Sequence, residues 1–432
     1  MKIGLCVIDM PASLGGGYVF RESLAQAALA NPGRHEIELV RAKPRQLKFD
    51  SAGVSPHDGM AWDGVASVLT PSVLKKNVRV LVQKVLGSKP PGGEERIAPA
   101  IRSYVDWAIE QRLTWPNPDM IREFDADIAQ RRYDLLWFNH IEPIHVGTPY
   151  VLNVWDLQHR VQPWFPEVSE NGQFRQREAF FAEGLQRAAF VVTSSDETKA
   201  QVTQFYGVPS ERVRVIHFPT PQTATEAASM EKPNVSEADL RARYRLAGPY
   251  LFYPAQFWPH KNHINLLRAL KILRDQHGFD CSMVFTGADH GNADFIKAEA
   301  RALGLDDKVV FAGFVSADEV SALYRHAFAL TYVTFFGPDN LPPLEAFALG
   351  CPVVLSDIPG IRKLFEDAVV PVNHRDPAAI AGGIKKLIDD PAECAQRVAK
   401  GKIIAARNSM PNYVAQVHAL FDEFESVRCC WP

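Results

Sequence analysis

The most constraining feature of this chain is a rhythm in its second half. The apolar runs PYLFYP, CSMVFTG, KVVFAG, FALTYV and PVVLSD recur between helix-patterned segments of about ten to fifteen residues. Runs this short and this apolar read as strands buried on both faces, which is how parallel strands with helical crossovers appear. The pattern predicts a doubly wound α/β sheet with helices on both faces. The first half repeats it less evenly. IGLCVI is followed by a turn from Leu14 to Gly17, the helical YVFRESLAQAALA and EIELV; then come YDLLWFN, PYVLNVW, AFVVTSS and RVRVIHF. Ser194 with Glu197 resembles a capping box for the helix ETKAQVTQFY.

The expected architecture is therefore two Rossmann-like domains, residues 1–218 and 219–410, with 411–432 a terminal helix packing back on the first domain. Residues from about Pro219 to Gly248 shift toward Pro, Thr, Ala, Ser and Glu, which reads as a connection with a short helix at SEADLRARY. A length of 432 residues suits two or three domains. Two such domains facing each other leave a cleft at the carboxyl ends of both sheets, where α/β proteins place ligands.

Composition excludes several classes. Hydrophobic residues at 47% and charged ones at 22% read as globular, and a net charge of −3 gives no pull toward nucleic acid. Six scattered cysteines lack paired metal spacing, as in a reduced compartment. The opening MKIGLCVIDM reads as a first strand and not a secretion signal. No apolar run approaches the roughly eighteen residues of a membrane span. The expectation is a cytoplasmic protein.

The chemistry concentrates in FFGPDNLPPLEAFALGCP, Phe335 to Pro352. A Gly/Pro loop leads into a helix whose first turn carries one carboxylate, Glu345. A loop and helix start turn backbone N–H groups toward an anion, whereas a carboxylate one turn deeper cannot bind phosphate. It can accept two hydroxyl protons from a ribose. Phosphate and ribose together describe a nucleoside diphosphate. The turn YPAQFWPHKNH places Lys261 near the next helix start of the same sheet. A lysine there could contact a diphosphate, worth on the order of 1.5–3 kcal/mol, or simply be solvated. His260 and His263 read as loop donors, and Trp258 either stacks on a sugar or seals the turn. Gly15, Gly16 and Gly17 suit close approach of phosphate or sugar, and equally an ordinary tight βα turn. Asp156 and His159, in DLQHR after a strand, could orient the reacting sugar; a histidine there is as often structural.

Other motifs carry less. Asp125-Ala126-Asp127 has a cation-binding form but sits in a polar helical run, so a solvated helix face is the better reading. His140, Glu142 and His145 fit no zinc spacing. No GxSxG motif or Cys/His pair supports a hydrolase. From Gly64 to Gly93 there is no acidic residue, and Lys75, Lys76, Arg79, Lys84 and Lys89 interleave with apolar residues at helical spacing. Residues 72–89 thus read either as an ordinary surface helix or as a basic amphipathic helix for an anionic membrane surface.

At these residues the chain resembles the retaining GT-B glycosyltransferases of family 4, also called group 1 transferases. GPDNLPPLEAFALGCPVVLSDIPG, the turn before Lys261, and RAAFVVTSSDETKAQVTQFYGVPSERVRVI carry the resemblance. It implies transfer of a sugar from a nucleotide diphosphate sugar to an acceptor hydroxyl with retention, and no cofactor or metal ion. Carried over by position, Glu345 matches the ribose-binding glutamate and Lys261 the phosphate-binding lysine. Asn340 and Leu341 match the turn touching donor sugar and phosphate, Gly15 to Gly17 the glycine turn facing the diphosphate, and Phe314 and Val315 the base-contacting stretch. Three positions depart from the family. Gly337 stands where a first glutamate is common, Gln256 where an arginine is usual, and Trp155 where a histidine is frequent, with His159 a partial substitute.

The resemblance implies a hexosyltransferase in surface polysaccharide or glycolipid synthesis, with a glycan or lipid-linked acceptor. A GDP sugar such as mannose or a deoxyhexose is favoured over a UDP sugar. A GT-B-type sugar-nucleotide epimerase and a catalytically silent scaffold are the rival readings.

Overall fold

The computed structural model describes residues 1–8, 16–42, 118–139, 147–231, 233–337 and 340–431. These belong to one compact unit, Met1–Ala42 with Pro118–Pro432. The basic segment 72–89, Gly15, and the group His140, Glu142 and His145 lie outside the described residues.

Two six-stranded, all-parallel sheets form the frame. The first comprises β1 (Lys2–Ile8), β2 (Glu36–Ala42), β3 (Leu135–Phe138), β4 (Tyr150–Val154), β5 (Phe190–Thr193) and β6 (Val213–Val215), in the order β2-β1-β3-β4-β5-β6. The second comprises β7 (Tyr250–Pro254), β8 (Ser282–Thr286), β9 (Val309–Gly313), β10 (Ala329–Tyr332), β11 (Val353–Ser356) and β12 (Val370–Val372), in the order β12-β11-β10-β7-β8-β9. Central strands such as LLWF, YVLNV and VVLS are buried at every position, whereas the edge strand β9 is half-open beyond Val309. Burial on both faces is why these runs are uniformly apolar.

In the second sheet β7 and β10 are neighbours although two strands intervene in sequence, so the winding reverses between them. The crevice outside their carboxyl ends is where a doubly wound sheet takes a ligand. The loops leaving them carry Lys261 and Asn340. The strand β12 and the helix Gln222–Ser229 in the connecting region go beyond the sequence reading. The helix Glu237–Tyr244 forms where SEADLRARY predicts it, capped by Ser236. At Asp196–Tyr206 the cap is Ser195, whose Oγ accepts from the Thr198 N–H at 3.1 Å, and not Ser194.

The last helix, Met410–Arg428, packs Tyr413, Val417 and Phe421 into one cluster with Leu5, Leu24 and Trp137 of the first sheet's lobe. Among the described residues, the chain thus crosses between lobes twice. The crossings are tied together: the Thr220 N–H donates to Asn408 O at 2.6 Å and its hydroxyl to Ala405 O at 2.8 Å. Among the described residues, no helix is long and apolar enough to cross a membrane.

Candidate functional site

A cavity of about 620 Å³ opens at the carboxyl ends of both sheets. Lys261, Glu345, Asn340 and Leu341 line it from the second lobe, and Asp156 lines it from the first.

Lys261 ends a short turn, Pro259–Lys261, that follows β7. Asn262 closes the turn with a left-handed backbone (φ 61°), and its amide donates to Val333 O at 2.8 Å and His374 O at 2.7 Å. The Lys261 ammonium donates to the Tyr332 hydroxyl at 3.1 Å. Among the described lining residues it is the one Lys or Arg. Gln256 also lines the cavity, and its carbonyl accepts from the Trp258 indole at 2.8 Å. Trp258 stacks on His290 with ring centres 3.9 Å apart, which seals the turn.

The described residues of the loop after β10 are also tied by side chains. Gly337 has φ 115°, and a Cβ there would collide with the Asn340 amide, which donates back to Gly337 O. A glutamate at 337 could not occupy this loop as folded, so the departure from the family pattern and the Asn340 contact belong together. Asn340 also accepts from Tyr332 at 3.4 Å and stands at the start of the helix Leu341–Leu349. Pro342 and Pro343 in the first turn lack N–H groups, so fewer amides face the cavity than a helix start usually offers. The positive end of the helix dipole remains directed there.

Glu345 sits one turn in, half-buried, and its Oε2 accepts from the Tyr324 hydroxyl at 2.7 Å. Burial raises its carboxyl above the ordinary range, and the Tyr324 bond opposes that rise. Further along the wall lie Thr286, Gly287, Phe314 and Val315, with Phe314 66% exposed. Gly287 (φ 141°) lets the turn after β8 touch the Ala255 carbonyl of the turn after β7.

The first lobe contributes a different wall. Phe20, Trp155 and Phe218 meet edge to face with centres 5.1 to 6.1 Å apart, and all three line the cavity. Asp156 is ion-paired with Arg177 and accepts from the Gln158 N–H at 2.9 Å. Burial pushes its carboxyl up, but Arg177 and the backbone bond outweigh that and hold it low.

His159 requires a correction. It does not line the cavity; its fully buried ring stacks on Phe181 and its Nε2 faces Glu178 at 2.8 Å and Tyr206 at 3.2 Å. Burial, then the Arg177 charge, lowers its pKa to about 4. It is a structural histidine of the first lobe. Gly16 and Gly17 open the helix Gly16–Ala30. Asp127 pairs with Arg131 on the helix Pro118–Arg131. His35, Asp422 and Glu425 cluster closely enough for a cation, but Arg34 and the amino terminus already neutralise those carboxylates.

Sequence reasoning missed Tyr324, Tyr332, Phe20 and Phe218, and named Trp155 only as a departure from the family pattern. Tyr332 had a usable signal, since it ends the central strand β10 at the crevice. Tyr324 had none, because only folding brings its helix against Leu341–Leu349.

The family model for "Glycosyl transferases group 1" matches residues 239–403. The O-antigen chain mannosyltransferase RfbU of Salmonella typhimurium is 26% identical over 246 residues, 56% of this chain and 63% of that one. The O-antigen chain mannosyltransferase B of Escherichia coli is 23% identical over 252 residues, 58% and 65%. The chain thus spans just under two thirds of the length of these relatives. Among solved structures, the sucrose-phosphate synthase from Thermosynechococcus elongatus superimposes with a TM-score of 0.64 at 17% identity, covering 99% of both chains. That likeness establishes the fold. Two parallel doubly wound sheets around one cavity give this chain the GT-B fold, and residues 239–403 of its second lobe are similar to the group 1 glycosyltransferases.

Proposed function

We propose that this protein transfers a hexose from a nucleotide diphosphate sugar to a hydroxyl of a glycan or lipid-linked acceptor in surface polysaccharide synthesis. One observation carries the reading: Lys261, the start of the helix Leu341–Leu349 and Glu345 share a single cavity with Asp156 of the opposite lobe. A cation and a helix start suit the diphosphate, and the carboxylate deeper in the helix suits the ribose hydroxyls. Thr286, Phe314 and Val315 are left for the base, and the space toward Trp155 and Asp156 for the reacting sugars. The names of the two mannosyltransferase relatives favour mannose as the sugar, and a GDP donor is preferred over a UDP sugar on family resemblance.

Retention and metal independence are part of the proposal, on family resemblance. In that mechanism the glycosidic C–O bond to phosphate breaks, the acceptor oxygen bonds to the same face of the anomeric carbon, and the departing phosphate takes the acceptor's proton. Lys261 and the helix dipole offset the growing negative charge. A cytoplasmic location, with attachment to an anionic membrane through 72–89, completes the reading.

The test is a panel of nucleotide sugars, scored for thermal protection and slow hydrolysis. One donor should be protected and turned over. No binding by any member of the panel would refute the proposal. An epimerised sugar formed without acceptor would favour the epimerase reading, and binding without turnover across many acceptors the silent scaffold.

A further inference from the structure

After β4 the first lobe sends the segment 157–172 across to the second lobe. Gln162 donates from its amide to Phe335 O at 2.9 Å. The Glu167 side chain, 5% exposed, accepts from the His260 backbone N–H at 3.2 Å and from its ring Nδ1. His260 O in turn accepts from the Phe335 N–H at 2.8 Å and the Thr334 hydroxyl at 3.1 Å. The Phe165 ring packs on both, with centres 6.1 Å from His260 and 5.8 Å from Phe335.

One stretch of the first lobe is thereby bolted to two loops of the second. The first loop carries Lys261, adjacent to His260; the second runs through Gly337 to Asn340. A buried carboxylate is costly unless its partners hold it. Burial would raise the Glu167 carboxyl, yet the His260 bonds outweigh this and keep it low. His260 is itself pushed down to about 4 by burial and then by the Lys261 charge, so at neutral pH its ring is uncharged and Nδ1 donates. Such an acceptor grips the turn's backbone and its side chain together.

We infer that Glu167 is a positioning residue for the donor site, fixing the Lys261 turn and the Thr334–Phe335 start of the loop after β10 from the opposite lobe, so that assembly of the phosphate-binding loops is coupled to contact between the lobes. The inference rests on the function proposed above for those loops. It differs from simple packing because coupling requires a contiguous network with both ends anchored, and here both donor loops share one anchor. Its natural complement is lobe movement about the tied crossings at Thr220 and Asn408.

The decisive experiment compares full-length wild type with Glu167→Gln, which preserves shape but removes the charged acceptor. Hydrogen exchange in the ligand-free protein should accelerate about tenfold at the His260 and Phe335 amides, with the melting temperature and the exchange of β11 unchanged. Binding of GDP and UDP by calorimetry should weaken by about tenfold in parallel, with Glu167→Asp partly restoring it. Unchanged exchange at both amides overturns the inference. If Glu167→Gln does not fold, Gln162→Ala decides, with faster exchange expected at Phe335. Should wild type bind neither nucleotide, the functional reading fails, while the exchange result still decides whether the two lobes are coupled.

Discussion

The two walls of the cavity are made of different materials. The second-lobe wall presents a cation, a carboxylate and backbone amides on loops locked by side chains: Asn262 across to Val333 and His374, Asn340 back to Gly337. Among the described residues, the first-lobe wall presents Phe20, Trp155 and Phe218, and its lining carboxylate, Asp156, is already neutralised by Arg177. On the proposed function, charge recognition would fall to one lobe and ring-face recognition to the other. A nucleoside diphosphate should bind the second wall with little help from the first, and the acceptor should feel mainly the first.

Glu345→Ala is expected to break this division most severely. Two hydroxyl bonds to a carboxylate at about 1.5–3 kcal/mol each imply a loss in kcat/KM of roughly a hundredfold or more. Circular dichroism should show the fold intact, since the side chain opens on the cavity. Unchanged turnover would remove Glu345 from the site.

Lys261→Ala comes next. With no other Lys or Arg among the described lining residues, its loss should weaken nucleoside diphosphate binding by about tenfold to a hundredfold. Gln256→Arg is the converse: it adds a second cation where the family usually has one, and calorimetry should show binding tightened several-fold. If both variants bind like wild type, the phosphates lie elsewhere.

Tyr324→Phe should act on pH dependence more than on maximal activity. Glu345 must be ionised to accept hydroxyl protons; burial raises its pKa and the Tyr324 hydroxyl holds it down. Without that hydroxyl the pKa rises further, so the acid limb of donor affinity moves to higher pH. The linkage has a matching sign. A carboxyl raised in the folded state stabilises the fold when protonated, and that contribution is lost as pH rises through the folded value. A donor-binding profile with the same acid limb in both proteins would show that Tyr324 does not tune Glu345.

The division between the walls also explains what the sequence could show. Lys261, Asn340 and Glu345 were readable as residues lining one cavity because loops after parallel strands point to one crevice, and because their chemistry and spacing are local. The apolar runs declared ten strands, plus the edge strand β2, for the same local reason. Only β12, a three-residue VPV, escaped. His159 was misplaced since nothing in DLQHR reveals that Glu178, Tyr206 and Phe181 enclose it from other helices. The aromatic wall was invisible as a wall on the same ground: Trp155 stood out only as a replacement for a frequent histidine, and Phe20 and Phe218, from separate segments, look like ordinary core residues until folded.

That wall yields the smallest effect and the cleanest separation. Trp155→Leu keeps apolar volume beside Phe20 and Phe218 but removes the flat face and its contact with Arg21. An aromatic contact is worth about 0.5–1.5 kcal/mol beyond burial, so the acceptor KM should rise roughly twofold to tenfold. The dissociation constant for the nucleoside diphosphate should stay at the wild-type value, because no charged group of the second wall has moved. A rise in that constant with an unchanged acceptor KM would reverse the assignment of the walls, placing Trp155 against the donor.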